Sequence, residues 1–417
     1  MFPYKSFEKK HGFIPAALVF EAEWINGLAL IRGLGEKGII VYALSSNPKA
    51  IGFYSKYVKK CIVHPDPNSD SECFLDFIVK LGKKLNDKNQ KGVLFPTSDL
   101  LVKIFSENKD ALKDYFIFTF PDSDITLNCL NKTIQYQKAI ESGIHIPKTY
   151  FEANLSCLYH DLNAKKISYP LILKASYSYV LNNRKKYRTV LIRNKYELTQ
   201  ILTKVRKDEV SFVIQEVIPG NDDTLYTLGS YMSKDVTFKA IFTGRKLRQK
   251  PPRFGICRVG ESVYVPKIIH YGYLLLRSLK FFGISQVEFK YDYRDNEFKL
   301  MELNPRSWSW IGLPIKMGIN IPYVAFCDVL NIDEKPQYMQ QKKYIWISIE
   351  DDILISFKFA DGFPLKHLFI PKNGLYEAYF SLKDPLPWFL HMKEFFRSEI
   401  DFFKKLKNSR GIERCQN

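Results

Sequence analysis

The chain has 417 residues, of which 46% are hydrophobic and 25% are charged, so it is neither disordered nor collagen-like. At roughly 100 to 200 residues per domain, this length predicts two to four domains. No apolar run reaches the roughly 18 residues that a membrane span needs, which argues against a transmembrane protein. The seven cysteines include no CxxC pair, which argues against structural zinc or a disulfide framework, and we expect a cytoplasmic protein.

The chain is strongly basic, with 62 Lys and Arg against 44 Asp and Glu and a formal net charge of +18. Residues 179–258 contain 17 basic and 7 acidic side chains, whereas residues 331–417 contain 14 and 12, so the excess lies mid-chain. No helix-turn-helix, zinc-finger or RNP-type sequence accompanies it. The charge therefore favours a phosphate-bearing small molecule over DNA or RNA as the partner.

Strand and helix patterns alternate in the first part of the chain. Buried strands are predicted at 14–20, 39–44, 92–97 and 115–120, with helices at 27–38, at 73–85 and from Asp99. Such alternation predicts an α/β domain with a parallel, doubly wound sheet. The turn-rich sequence PDSD at 121–124 predicts that this domain ends near residue 125.

Gly33, Gly35 and Gly38 spell GxGxxG, the pattern of a dinucleotide-binding loop. In that loop the glycines follow a strand and open a helix, whereas these three end a helix and precede a strand. We therefore interpret them as helix-end packing and capping positions. Asn26 and Gly27 do follow the first strand, and they fit either a helix N-cap or a site for a polar group of a substrate.

From residue 126 the pattern changes to α+β. Helices are predicted at 131–142, 196–205 and 267–282, and strands at 169–176, 211–218, 226–232, 236–242, 284–292 and 297–305. After about residue 330 the chain continues with a segment in which we find no catalytic constellation.

The last two of these strands contain the strongest chemical signal. Glu302, Asn304 and Arg306 alternate along the second strand, so an extended backbone points them to one side. A turn centred on 294–296 would place Glu288 directly opposite Glu302, with Cβ atoms about 4.5 to 5.5 Å apart. Two carboxylates and an amide are hard oxygen ligands that suit Mg²⁺ beside nucleotide phosphates. The same residues also fit a solvated face of an antiparallel pair.

Other side chains of this domain could contact a nucleotide. Lys132 opens a helix, and Lys174 ends an apolar strand, where its charge is costly without an anionic partner, although a lysine at a strand end also reaches solvent readily. The sequence QEVI at 215–218 precedes PGNDD. Its backbone could contact adenine while the carboxylates contact a ribose, or it is a strand that enters a turn.

The order of these segments resembles that of the ATP-grasp superfamily. The matching sequences are NKTIQYQKAIESGIHIPKT, PLILKAS, QEVIPGNDD, QVEF and MELNPR, and the resemblance extends from about residue 14 to about residue 325. It implies a pre-ATP-grasp domain at 1–125, an ATP-grasp domain at 126–330 with a mobile lid subdomain at about 165–220, and an accessory segment at 331–417. The sequences TGRKLRQKPPRFG, VGES and FSLKDPLPW further resemble predicted carboxylate-amine ligases of the D-aspartate ligase type.

The resemblance also implies a role for each candidate residue. The residues implied for ATP are Lys132 and Lys174 at the phosphates, Glu216, Val217 and Ile218 at the adenine, and Asp222 or Asp223 at the ribose. The residues implied for Mg²⁺, which Mn²⁺ could replace, are Glu288, Glu302 and Asn304, with Arg306 stabilising the transferring phosphoryl group. The lid loop ASYSYVLNNRKKYRTV departs from the family pattern because it contains no glycine.

A second basic group, from Arg245 to Arg258, lies between the adenine segment and the strand pair. Because a guanidinium can bind a carboxylate through two parallel hydrogen bonds, we predict that Arg248, and less surely Arg245, grips a carboxylate of the substrate. The alternative is a basic loop that faces water. We interpret Trp308 and Trp310 as a packed wall behind the site, although stacking on a substrate ring also fits.

Together these expectations describe an ATP-dependent ligase that joins a carboxylate to an amine through an acyl phosphate and releases ADP. The substrates would be small molecules, one of them amino-acid-like or otherwise anionic, and the sequence is compatible with a homodimer. Two other functions stay open, namely a non-catalytic ATP sensor and a basic nucleic-acid-binding protein. The arginine beside the carboxylates argues against the sensor, and the scarcity of aromatic residues in the basic stretch 184–207 argues against nucleic acid.

Overall fold

The protein is described from a computed structural model, which covers residues 2–177, 187–339, 341–369 and 373–397. These residues form three β-sheets with helices packed against them. Most of the predicted lid loop, residues 178–186, lies outside the described residues. No helix among the described residues is long and apolar enough to cross a membrane.

The first sheet is the parallel sheet that the sequence predicts. Its strands are β1 (Ile14–Val19), β2 (Val41–Ser45), β3 (Val58–Val63), β4 (Gln90–Phe95) and β5 (Phe116–Phe118). The helices of this region are α1 (Tyr4–His11), α2 (Ile25–Gly35), α3 (Ser71–Asn86), α4 (Asp99–Glu107) and α5 (Lys109–Leu112). The strand order β3-β2-β1-β4-β5 reverses direction at β1, and in such sheets a ligand crevice lies at the carboxyl ends of the strands on either side of the reversal. The doubly wound α/β architecture is confirmed.

The GxGxxG glycines lie at the end of α2, as predicted, and not at the start of a helix. Gly35 lies against Tyr57, because a Cβ atom added at Gly35 would be 2.3 Å from the Tyr57 Cβ. Gly38 has φ 76°, the left-handed conformation that glycine adopts without strain. Close packing and a turn therefore account for both glycines.

The second sheet is antiparallel and spans the predicted lid. Helices α6 (Ser123–Leu130) and α7 (Lys132–Glu141) lead into it, and its strands are β6 (Thr149–Phe151), β7 (Leu171–Ala175), β8 (Thr189–Ile192) and β9 (Phe212–Glu216). Helices α8 (Leu155–Asn163) and α9 (Lys195–Lys207) accompany it. The strand order is β6-β9-β7-β8, so the sheet begins about 15 residues before the predicted lid boundary at 165.

The third sheet holds the strand pair with the carboxylates. Its strands are β10 (Leu225–Met232), β11 (Phe238–Lys250), β12 (Ile256–Ser262), β13 (Gly283–Asp292), β14 (Glu297–Asn304), β15 (Gln337–Tyr338), β16 (Tyr344–Ile347) and β17 (Gly374–Glu377). The order is β14-β13-β10-β11-β12-β16-β17, with β15 on β11. The accompanying helices are α10 (Pro266–Ser278), α11 (Gly312–Lys316), α12 (Ile321–Val329) and α13 (Ile349–Phe359). Because β16 and β17 extend this sheet, the segment after residue 330 shares a sheet with the part before it.

Trp308 and Trp310 are 2% and 0% exposed and belong to the core between the first and third sheets. Gly229 and Gly244 on the sheet make room for them, because added Cβ atoms would lie 2.1 Å from Trp308 and 2.6 Å from Trp310. The indoles therefore form the packed wall that the sequence predicts, and edges of both line the cleft described next.

Candidate active site

A cleft of about 830 Å³ opens where the three sheets meet. One wall comes from the carboxyl ends of β1 and β4, with Glu21, Trp24, Asn26 and Thr97. The other walls come from the second sheet and from strands β11, β13 and β14 of the third. Of the residues predicted for the site, those that line the cleft are Lys174, Glu216, Val217, Ile218, Glu288, Glu302, Asn304 and Arg306.

The carboxylate strand pair brings the two glutamates opposite each other as predicted, although a register shift between Glu288 and Phe289 interrupts the regular pairing. Glu288 on β13 pairs with Glu302 on β14, and Gln286 pairs with Asn304. The turn between the strands includes Asn296 at φ 55°, a left-handed conformation that asparagine tolerates well. The two carboxylates therefore stand opposite each other on one face, and the prediction that an antiparallel pair brings them together is confirmed.

Two buried lysines neutralise these carboxylates. Lys246 Nζ lies 2.7 Å from Glu288 Oε1, and Lys132 Nζ lies 2.8 Å from Glu302 Oε1. Burial raises the pKa of the Glu302 carboxyl, but the charge and hydrogen bond of Lys132 outweigh it and lower that pKa to about 2. Burial lowers the pKa of Lys246, and the Glu288 carboxylate raises it above its usual range. Each carboxylate is thus paired with a lysine of the protein.

Lys174 lies on β7, 8% exposed, and lines the cleft. Its Nζ donates to the Tyr136 hydroxyl at 3.1 Å and to the Met301 carbonyl at 3.4 Å. Burial lowers the pKa of Lys174 to about 8, against the opposing effect of the charges on Glu302 and Glu288. Lys174 therefore has neutral hydrogen-bond acceptors here, with the anionic carboxylates further away.

Lys132 is placed by the start of α7. The Asn131 side chain caps this helix by accepting from the backbone N–H groups of Thr133 and Ile134, and the Lys132 N–H donates to the Ser176 carbonyl at 2.8 Å. The end of β7 is thereby tied to α7. Lys132 is not among the residues that line the cleft, and it reaches the site through Glu302.

The segment that the sequence predicts for adenine and the two aspartates after it lie in different settings. Glu216, Val217 and Ile218 line the cleft at the end of β9, and Glu216 pairs with Arg294 at 2.8 Å. Asp222 is 8% exposed, and its carboxylate accepts hydrogen bonds from the backbone N–H groups of Gln249 and Arg253 and from the Gln249 side chain. Neither Asp222 nor the exposed Asp223 is among the cleft-lining residues. Asp222 thus anchors the end of β11.

Arg306 links the strand pair to the first sheet. Its Nε lies 2.6 Å from Asp99 Oδ1, and another guanidinium nitrogen donates to Asn304 Oδ1 at 3.1 Å. Asn304 in turn donates to Gln286 at 3.4 Å, and Gln286 donates to Glu288 at 3.0 Å. A continuous chain of hydrogen bonds therefore runs from Asp99 to Glu288 and fixes the arginine beside the carboxylates.

Arg248 does not face the cleft, contrary to the prediction that it grips a substrate carboxylate. It is 3% exposed and donates to Asp352 and Ser356 at 2.8 Å and to the carbonyls of Asp361 and Phe363 at 2.7 and 3.0 Å. The pairing of β11 with β12 shifts register between Lys246 and Arg248. Regular alternation would put Lys246 and Arg248 on one face of the strand. Because of the bulge, Lys246 lines the cleft and Arg248 does not.

Arg245, the second choice for that role, also has a partner within the protein. Its Nε donates to Glu261 at 2.9 Å across the β11–β12 pair. It is not among the cleft-lining residues. The basic residues of β11 that do line the cleft are Lys246 and Lys250.

Glu21 is a cleft residue that the sequence analysis did not single out. It has φ 51°, a conformation that glutamate seldom adopts, directly after β1. Thr97 Oγ1 donates to its carboxylate at 2.5 Å, and burial raises the pKa of that carboxyl. Among the described residues it has no basic partner within 4.0 Å. A single glutamate after a strand has no distinctive spacing, and the one available signal was its place at a carboxyl end of a parallel sheet.

Asn26 connects the cleft wall that contains Glu21 to the loop that contains Arg306. Its side-chain amide donates to the Thr97 carbonyl at 3.2 Å and to Ser307 Oγ at 3.4 Å. Thr97 is the residue that also donates to Glu21. The carboxylate of Glu21 and the guanidinium of Arg306 therefore belong to one hydrogen-bonded unit, which puts an anion and a cation at the same end of the cleft.

The chain has the fold of ATP-grasp enzymes, as the solved structures that superpose on it show. Among curated proteins, D-aspartate ligase from Enterococcus faecium (strain Aus0004) is 25% identical over 418 residues, which cover 94% of this chain and 96% of that protein. No protein-family model matches the chain.

Solved structures show the same fold. An ADP complex of N5-carboxyaminoimidazole ribonucleotide synthetase superposes with a TM-score of 0.61 at 13% identity, covering 83% of this chain and 85% of that one. L-amino acid ligase from Bacillus licheniformis superposes with a TM-score of 0.55 at 16% identity, covering 77% and 74%.

Proposed function

We propose that this protein is an ATP- and magnesium-dependent carboxylate-amine ligase that forms an amide through an acyl phosphate and releases ADP and phosphate. The observation that carries the proposal is the opposed pair Glu288 and Glu302, with Arg306 and buried lysines around one cleft. The near full-length similarity to a protein named D-aspartate ligase supports the choice of carboxylate-amine ligation.

ATP binds between the second and third sheets in this proposal. Adenine lies along Glu216 to Ile218, and the phosphates lie near Lys174 and Lys132, whereas Asp222 and Asp223 do not line the cleft and take no part in this binding mode. In support, the adenine segment and Lys174 line the same cleft. A superposable relative has ADP bound, which agrees with a nucleotide site in this fold.

Glu288, Glu302 and Asn304 suit Mg²⁺ by their donor chemistry. Among the described residues, no group of three or more His, Cys, Asp or Glu could hold a metal by itself. Two carboxylates and one amide match the way Mg²⁺ is held in nucleotide enzymes, where phosphates and water complete its shell. When bound, Mg²⁺ or Mn²⁺ would neutralise charge on the phosphates.

The residues of the chain position the two reactions. A carboxylate oxygen of one substrate attacks the γ-phosphorus of ATP, and ADP leaves; Arg306 stabilises the negative charge on the transferring phosphoryl oxygens. Glu21 binds the ammonium form of the second substrate and accepts the proton whose loss frees the nitrogen lone pair, because it is a buried carboxylate without a basic partner among the described residues. The amine nitrogen then attacks the acyl carbon, and the phosphate that leaves takes the second proton that the nitrogen loses.

Nucleotide products test the proposal directly. Purified protein with ATP and Mg²⁺ is screened against amino acids, including D-aspartate, in pairs with amines, and nucleotides are resolved by ion-exchange chromatography. Substrate-dependent ADP is the expected product. AMP and pyrophosphate would contradict the mechanism, and ATP binding without turnover across the screen would favour a nucleotide sensor.

A further inference from the structure

Helix α13 has the opposite polarity from an ordinary surface helix. Its acidic residues Glu350 and Asp352 are 5% and 0% exposed, whereas Phe357 and Ile353 are 75% and 37% exposed. A surface helix normally buries its apolar side chains and exposes its charges. Helix α13 therefore exposes apolar side chains, while its buried acidic side chains form ion pairs within the protein.

The last residue of α13 and the chain after it expose further apolar side chains. Phe359, Phe363 and Phe369 are 49%, 69% and 79% exposed. With Phe357 they form what we name the C-terminal aromatic surface. The segment is held together around Arg248, which contacts Ser356, Asp361 and Phe363. None of the four phenylalanines lines the candidate active-site cleft. Several exposed aromatic side chains on one short segment of this kind mark an interaction site.

The charges on this surface are basic. Lys358 and Lys366 are exposed among the phenylalanines, and Lys358 Nζ lies 5.8 Å from the centre of the Phe359 ring. The acidic residues nearby are occupied, since Asp352 pairs with Arg248 and Asp361 pairs with Arg258. Residues 331–417 as a whole are nearly balanced in charge, but lysines predominate on this surface.

The neighbouring helical residues 386–397 repeat the same combination. His391 connects them to the start of α13 through a 3.0 Å contact with Glu350. Leu386, Phe389 and Phe396 are 50%, 58% and 58% exposed. Lys393, Glu394 and Arg397 are exposed beside them, so the basic side chains are in excess. The partner of this region must therefore accept aromatic side chains and offer negative charge.

We propose that the C-terminal aromatic surface binds an anionic lipid bilayer. The phenylalanines enter the boundary between headgroups and acyl chains, and the lysines contact lipid phosphates and carboxylates. A second copy of the chain suits this surface less well, because a symmetric contact would bring the same lysines together. The lipid surface supplies both the apolar layer and the negative charge that the side chains require.

Vesicle sedimentation tests the proposal with the full-length protein. Phosphatidylcholine vesicles with and without phosphatidylserine are pelleted after incubation, and bound protein is measured at low and high salt. The protein should pellet with the anionic vesicles and be released as salt screens the lysines. No pelleting with anionic vesicles, or equal pelleting with both kinds, would overturn the proposal.

Two double variants and a control locate the surface. Phe357→Ser with Phe363→Ser, and Lys358→Glu with Lys366→Glu, should each weaken binding at least about tenfold. Ile140→Ser with Tyr196→Ser removes apolar side chains that are 55% and 73% exposed elsewhere and should leave binding unchanged. Unfolding temperatures verify that each variant is folded. If both surface variants bind like the wild type, or if light scattering shows that the phenylalanines hold a dimer together, the surface is not a lipid site.

Discussion

Strand β11 contributes one basic residue to each of two buried groups of charged side chains. The two groups differ in how fully the rest of the protein pairs that residue. Lys246 faces the cleft and balances Glu288 in a pair that an incoming ligand can rearrange. Arg248, two residues later, is held by four acceptors on the segment after β16. Both terminal nitrogens of this guanidinium are occupied, so the pair of donors that would grip a substrate carboxylate is already in use. The comparison shows that local charge density does not identify a site, whereas access to the cleft and incomplete pairing do.

Among changes to the charged residues around the cleft, removing Glu302 should reduce turnover most. Glu302→Ala deletes a proposed metal ligand and leaves Lys132 without the carboxylate that it contacts at 2.8 Å. We expect turnover to fall about a thousandfold, as when a key electrostatic group is lost from an active site. Steady-state ADP release measures the effect, and circular dichroism verifies folding. Near-normal turnover would rule out the role of Glu302.

Removing Asp352 should instead destabilise the protein through the Arg248 group. Asp352→Ala leaves the buried guanidiniums of Arg248 and Arg258 without a shared carboxylate. Breaking a buried ion pair in this way costs about 3 kcal/mol or more of unfolding free energy. Urea unfolding gives the change, and the Michaelis constant for ATP at low temperature should stay the same. A variant that is as stable as the wild type but has a raised Michaelis constant for ATP would show that Asp352 serves the active site and not stability.

Glu21→Gln tests the end of the cleft nearest the first sheet. The amide keeps the shape and a hydrogen bond to Thr97 but loses the charge that would hold an ammonium group. The Michaelis constant for the amine substrate should rise about tenfold, equivalent to about 1.4 kcal/mol, while that for ATP is unchanged. Equal increases for both substrates would indicate a general structural role.

The pKa of Lys174 predicts a smaller, pH-dependent effect on nucleotide binding. Burial lowers that pKa to about 8, so the side chain is charged below pH 8 and becomes neutral above it. ATP affinity should therefore fall as pH rises through 8, by at most about tenfold per pH unit. Lys174→Arg keeps the charge and should flatten the profile in a fluorescence titration. An identical decline in both proteins would assign the pH dependence to another group.

Local patterns predicted the parts of the molecule that local rules determine. The parallel first sheet followed from alternating elements. The opposition of Glu288 and Glu302 was predicted from equal spacing about the turn, but it also depends on a register shift beside Glu288, because Lys290 nearer the turn pairs with Lys299. The positions of the basic residues on β11 could not be derived in this way, because a bulge interrupts alternation between Lys246 and Arg248.

Long-range pairing was the other limit of the sequence. The partners of Arg248 lie more than 100 residues away, on a segment that shows no catalytic pattern. Asp222 was expected near a ribose, yet its carboxylate binds backbone N–H groups of β11 and of the turn after it. Glu21 becomes noticeable only when the fold brings Thr97 and the Arg306 loop beside it.

Isotope transfer tests the central claim, an acyl-phosphate intermediate, most directly. A carboxylate substrate found by ADP release is labelled with ¹⁸O in both carboxyl oxygens, and the phosphate produced is analysed by ³¹P NMR. Attack of the carboxylate on the γ-phosphorus, followed by attack of the amine on the acyl carbon, leaves one carboxyl oxygen on phosphorus. We therefore predict one ¹⁸O atom in each phosphate released with ADP, whereas unlabelled phosphate accompanying amide formation would contradict the mechanism.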